Sequence, residues 1–211
     1  FGGAGTQDAT LVFGGNVNGV SFVTCTEEYD GTSWSTGGVL AVGRACLAGA
    51  GTQNAGLAFG GTGTSGDCAC TEEYNGTSWS NGGALQVARD ALAGAGTQDA
   101  GLAFGGAPGG SSTAACTEEY NGTAWSTGAA LGSNVASNAG AGTQTTALSF
   151  GGTIGPAVTT GTQEYSPTIT YIPKKSFEYD ESNGIVILSE VASSSQDYED
   201  DTAAAAGGVP V

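Results

Sequence analysis

The chain says nearly the same thing four times. Phe-Gly-Gly stands at Phe13, Phe59, Phe104 and Phe150, and each copy follows a Gly-Thr-Gln that begins at Gly5, Gly51, Gly96 and Gly142. A period of roughly 46 residues is the mark of a β-propeller or related array, in which each unit is one small sheet that cannot bury both faces alone. The second copy shows how a unit is built. Leu47 to Gly51 is small and apolar. Gly56-Leu57-Ala58-Phe59 is a short apolar run stopped by Gly60-Gly61, and Cys70-Thr71-Glu72-Glu73-Tyr74 alternates before Asn75-Gly76. Thr77-Ser78-Trp79-Ser80 follows, stopped by Gly82-Gly83. Four short β-prone runs separated by glycine or Asn-Gly predict one four-stranded antiparallel blade per repeat.

The predicted fold is therefore all-β, a propeller of four blades over about 1–46, 47–92, 93–138 and 139–171, with a short β or extended tail over 172–211. The first run of each unit lacks bulk because the innermost strands crowd the axis. The large residues belong further out, filling the wedge between blades: Phe13, Phe59, Phe104 and Phe150; Tyr29, Tyr74, Tyr120 and Tyr165; Trp34, Trp79 and Trp125. Closure by four blades within one chain is the simplest reading. Two chains completing one ring, or more blades upstream, are the alternatives, since an open stack leaves apolar faces exposed.

Composition narrows the function. Twenty acidic residues stand against four basic ones, a net charge of −16, which repels phosphate backbones and anionic surfaces. Nucleic acid is not an expected partner. No run of 18 apolar residues predicts a membrane span, and no basic-then-apolar leader opens the chain. The first residue is Phe1 rather than Met, from which residues upstream are expected.

With no histidine in the chain, Ser-His-Asp and Cys-His catalysis and histidine-ligated copper or zinc have no basis. Cys25, Cys70 and Cys116 recur immediately before Thr-Glu-Glu-Tyr, too far apart on neighbouring blades for a disulfide, and are expected to be small buried apolar groups. Cys68 and Cys70 form C-x-C, which alone does not make a zinc site. The pairs Glu27-Glu28, Glu72-Glu73 and Glu118-Glu119 look catalytic at first sight. Neighbours on a strand point to opposite faces, however, and an active site is one asymmetric constellation rather than three copies, so a structural role is expected. No catalytic, cofactor-binding or metal-ligating residue is predicted, although calcium between acidic loops stays open. The segments that differ between repeats, residues 16–21, 62–67, 107–113 and 153–159, are the candidate contact loops, with Asn16, Asn18, Thr62, Thr64, Asp67, Ser111, Ser112, Thr153 and Thr159 as candidate binding residues.

A Gly-Gly closing the second strand, a Tyr ending the third and a Trp five residues later resemble the kelch repeat. The match lies at Gly14-Gly15, Tyr29 and Trp34; Gly60-Gly61, Tyr74 and Trp79; Gly105-Gly106, Tyr120 and Trp125, with Arg44 and Arg89 ahead of the first strand. It covers roughly residues 1–171 and implies a propeller. The fourth unit keeps Gly151-Gly152 and Tyr165 but has Pro167, Thr170 and Val135 where the turn glycine, the Trp and the Arg are expected, as a terminal capping unit would.

Beyond Tyr171 the composition changes. Lys174-Lys175 is the only basic pair, and Gly184 to Leu188 is a strongly β-prone run after an Asn-Gly turn, seeking a sheet to join. Residues 193–211 are rich in Ser, Ala and acid and resemble a C-terminal stretch of structural proteins of tailed, particularly marine, bacteriophages. That resemblance implies a virion surface, fibre or decoration protein made in the host cytoplasm, partnered by other virion proteins or by copies of itself, and by a host-surface glycan or protein. The alternative is a lectin-like carbohydrate- or protein-binding propeller that is secreted or on a cell surface.

Overall fold

In a computed structural model of the chain, residues 1–110, 113–167, 175–180 and 185–190 are described, and they form two units that divide at Thr168 and Ile169. The first is a four-bladed β-propeller arrangement. Blade 1 orders its strands from the inside as Gly2–Thr6, Ala9–Phe13, Thr26–Tyr29 and Trp34–Thr36. Blade 2 repeats this with Ala48–Thr52, Ala55–Phe59, Thr71–Tyr74 and Trp79–Asn81, and blade 3 with Ala93–Gly96, Gly101–Phe104, Thr117–Tyr120 and Trp125–Thr127. Blade 4 has Ala139–Gly142, Ala147–Phe150 and Thr162–Tyr165; its expected outer strand falls beyond the described residues. All pairings within the blades are antiparallel. The Asn-Gly turn is a four-residue loop: Tyr74 pairs with Trp79, and the Asn75 side chain accepts the Thr77 and Ser78 amides.

The inner strands pack in succession, blade 1 on 2, 2 on 3 and 3 on 4. Their glycines allow it. A Cβ on Gly49 would lie 2.5 Å from the Gly3 carbonyl oxygen and 2.7 Å from the Phe13 ring, and one on Gly94 would lie 2.5 Å from the Gly49 oxygen and 2.7 Å from the Phe59 ring. The small first run is thus a row of backbones in near contact, each capped by the phenylalanine of the preceding blade.

No single centre forms the core. It consists of three seams, one between each pair of neighbouring blades, gathered around Phe13 with Leu11 and Tyr74, around Phe59 with Leu57 and Tyr120, and around Phe104 with Leu102 and Tyr165. Each large apolar side chain buried there stabilises the array by roughly 1.5–3 kcal/mol. The inner strands of blades 1 and 4 do not pack on one another, so closure by four blades alone is not what the described residues show. Both ends are accordingly uncovered: the Phe150 ring is exposed, and Gly3 has no ring above it.

The second unit is described only as a hairpin. Lys175–Asp180 pairs antiparallel with Ile185–Glu190, so the β-prone run after the Asn-Gly turn forms a strand, paired with the segment just before it. The phage-like stretch 193–211 lies outside the described residues.

Candidate functional site

The glutamate pairs divide their labour between the two faces of the sheet. On one face, Glu72 and Glu118 hold the linker that enters their own blade. Arg44 Nη1 donates to Glu72 Oε1 at 2.7 Å, and the Ala41 amide donates to the other carboxylate oxygen at 2.7 Å. Arg89 pairs likewise with Glu118, which also accepts the Gln86 amide. Both arginines and both glutamates are buried. Burial pulls the Arg44 guanidinium down from its ordinary range, and the Glu72 charge opposes that pull. In blade 4 both partners change together: Val135 replaces the arginine and Gln163 the glutamate, and Gln163 Oε1 accepts the Ser133 amide at 2.8 Å instead.

On the opposite face, the second glutamate of each pair reaches the next blade. Tyr74 donates to Glu28, Tyr120 to Glu73 and Tyr165 to Glu119, each at 2.5 Å. Two further contacts recur. The indole N–H of Trp79 donates to Thr26, and that of Trp125 to Thr71, each at 2.9 Å. The amide of Gln53 donates to the carbonyls of Thr10 and Tyr29, and Gln98 and Gln144 do the same one and two blades on. The Gln of Gly-Thr-Gln is therefore a rivet between blades, a role the sequence marks only by recurrence. Burial, then the glutamate hydrogen bond, pushes Tyr120 and Tyr165 up to about 12.

The candidate contact loops lie between the second and third strands. Asn16-Val17 pairs with Ser21-Phe22, Thr62-Gly63 with Gly66-Asp67, and Thr153-Ile154 with Ala157-Val158, so three of them are small hairpins rather than irregular loops. Asn18 sits in the first hairpin's turn at φ 56°, and Thr64 in the second's. In blade 3 the segment is a short turn at Pro108–Gly110, next to the Gly66-Asp67 strand of blade 2; Ser111 and Ser112 lie outside the described residues. Thr62, Ala107 and Thr153 are each bridged to the linker entering their blade, at Ala45, Asp90 and Ala136. The loops thus line one rim of the array.

Two hollows open on that rim. One of about 310 Å³ is bordered by Phe1, Asn16, Cys46, Ala91 and Ser137. Cys46, Ala91 and Ser137 are equivalent residues with φ of 53°, 52° and 53°. Their backbones form a ladder, the Ala91 amide donating to Cys46 at 2.9 Å and the Ser137 amide to Ala91 at 2.7 Å. Nothing in a Cys, an Ala and a Ser announces a left-handed backbone, so this rung was not legible. The other hollow, about 460 Å³, lies between the blade 3 turn and the blade 4 hairpin, bordered by Gly110, Thr113, Thr153 and Pro156. Thr153 is placed there, and Asn16 at the first hollow. Thr62, Thr64 and Asp67 border neither, and Thr159 closes its own hairpin, its amide donating to Gly152. Asp67 has one buried carboxylate oxygen without a partner, and its charge, after burial, helps raise the Asp90 carboxyl.

The expected burial of the recurring cysteines does not hold. Cys25 is exposed and Cys70 and Cys116 are half-buried, because they sit in the connectors before strands rather than on a packed face. The sulfurs of Cys68 and Cys70 lie within bonding reach, with Cα atoms 5.2 Å apart. Among the described residues no group of three or more Cys, Asp or Glu could hold a metal ion, and no helix is long and apolar enough to cross a membrane. No known protein family matches the chain, and no curated protein sequence matches it either.

Proposed function

We propose that this chain is a non-enzymatic structural protein of a phage virion, a fibre or decoration component that uses a kelch-like propeller as a display and interaction scaffold. The observation that carries the scaffold part is the use made of the repeated polar groups. The buried glutamates, tyrosines and arginines are engaged in holding linkers and seams, while the differences between repeats gather in the loops of one rim. A rigid platform presenting variable loops suits binding better than chemistry. The virion part rests on the acidic, Ala-rich ending and its phage resemblance.

The test is incorporation. Particles assembled with the full chain carry it, detected by mass spectrometry of purified virions, and particles assembled with a chain ending at residue 171 do not. Absence of the full chain from particles overturns the reading.

A second reading, a lectin-like module, is favoured by the 460 Å³ hollow between neighbouring loops, of a size to take a sugar unit. Glycan-array binding that is lost when residues 107–113 and 153–159 are exchanged together supports it; binding unaffected by the exchange excludes this rim.

A further inference from the structure

We propose that the outward faces of blade 4 and blade 1 are the two halves of a fourth seam, and that a second copy of this chain completes it head to tail. The inference stands on the seam geometry and does not depend on the virion reading.

The seams of blade 1 on 2 and of blade 2 on 3 are made by the same set of side chains, the seam of blade 3 on 4 repeats that set without its tryptophan, and the ends of the array carry the set divided in two. Phe13 meets Trp79, and Phe59 meets Trp125, with ring centroids 4.9 Å apart in both cases. Phe150 and Trp34 are the two members left over, 41% and 51% exposed, whereas Phe13 and Phe59 are buried. Gly49 and Gly94 each lie beneath the phenylalanine of the preceding blade. Above Gly3, a Cβ would meet nothing closer than the Leu11 oxygen of its own sheet at 3.4 Å, which leaves the space a Phe150 ring would take.

The polar groups divide in the same way. Among the described residues, the Tyr29 hydroxyl, the Trp34 indole N–H and the Gln7 amide have no partner on blade 1. Their counterparts one blade on donate to Glu28, Thr26 and the carbonyls of Thr10 and Tyr29. The matching acceptors at the far end are Glu164, Thr162 and the carbonyls of Ala147 and Tyr165. A hollow of about 330 Å³ bordered by Ala147, Leu148, Glu164 and Tyr165 opens where the Gln7 side chain would enter.

Donors at one end and acceptors at the other make a heterologous contact, which closes when the rotation allows it. Two chains then form an eight-bladed ring with two identical seams, within the known range of roughly 4–8 blades. Thr10 stands where blades 2 and 3 carry Gly56 and Gly101, so the seam between copies is looser than those within a chain.

Light scattering on the full chain tests this. The wild type is expected at twice the 20.5 kDa chain mass. Trp34→Asp and Phe150→Asp, each with one spoiled face, are expected as single chains, their self-association weakened roughly 30-fold or more. An equimolar mixture regains a two-chain species, because one intact blade 4 face meets one intact blade 1 face. A face paired with its own copy would leave one of the two variants dimeric by itself. Wild type at one chain mass, variants that associate as the wild type does, or a mixture that stays as single chains each overturns the proposal. Circular dichroism checks the fold, and Trp34→Ser with Phe150→Ser replaces any variant that fails to fold.

Discussion

The hydroxyl of Tyr120 donates a 2.5 Å hydrogen bond to Glu73 of the preceding blade and accepts the Gly83 amide at 3.3 Å. One oxygen thus joins two repeats, and it does so inside a seam where a lost partner is not replaced by bulk water. Tyr120→Phe is expected to destabilise the chain by about 1–3 kcal/mol, the cost of leaving polar groups unpaired. Tyr29 is the equivalent residue on the uncovered blade 1 face, so Tyr29→Phe is expected to stay within about 0.5 kcal/mol in dilute solution. Urea unfolding of the two variants side by side makes the comparison.

Blade 4 supplies the design of a second experiment, because it carries Val135 and Gln163 where blade 2 has Arg44 and Glu72. Glu72→Gln alone strands a buried guanidinium and is expected to cost about 3–5 kcal/mol. Arg44→Val with Glu72→Gln reproduces the neutral arrangement of blade 4 and is expected to recover most of that loss. A double-mutant cycle by urea unfolding reads the coupling.

Steric closeness of the inner strands predicts a position-dependent effect of one methyl group. Gly94→Ala sets a Cβ 2.5 Å from the Gly49 oxygen, and overpacking of this kind costs about 1–3 kcal/mol. In dilute solution, where the blade 1 face is uncovered, Gly3→Ala meets only the Leu11 oxygen at 3.4 Å and is expected to be near neutral. Thermal melts distinguish them.

Alkaline pH should loosen the array. The folded chain holds Tyr120 and Tyr165 up at about 12, above the ordinary 10.0. A raised value means that the fold favours the protonated phenol, so the associated stability is intact below about pH 10 and drains away as pH rises toward 12. Phenolate absorbance followed together with circular dichroism is expected to show these tyrosines ionising as the sheet signal falls. Ionisation near 10 with the fold intact contradicts it.

Much of this architecture was legible because a propeller writes its rules once per blade. Phe13, Tyr74 and Trp79 recur at the spacing of the seam, and the glycine-rich first run recurs at the spacing of the axis. The partners were harder to read. Arg44 finds Glu72 only through the register of four strands, and Gln53 reaches Thr10 across a seam no local pattern reveals. Cys25 looked like core because it precedes a strand, yet pairing begins one residue later and leaves it in an open connector. Three of the segments that carry the candidate contact residues are paired hairpins, which sequences as short as Asn16-Val17 and Thr153-Ile154 do not signal.

The central claim is that four repeats stack as blades joined by one recurring seam, and a density map of the full chain at side-chain resolution tests it most directly. The account expects Gly3, Gly49, Gly94 and Gly140 in a row along the inner edges, with the Phe13, Phe59 and Phe104 rings each over the glycine of the following blade. Helices within the repeats, or sheets whose inner edges are not neighbours, would contradict it.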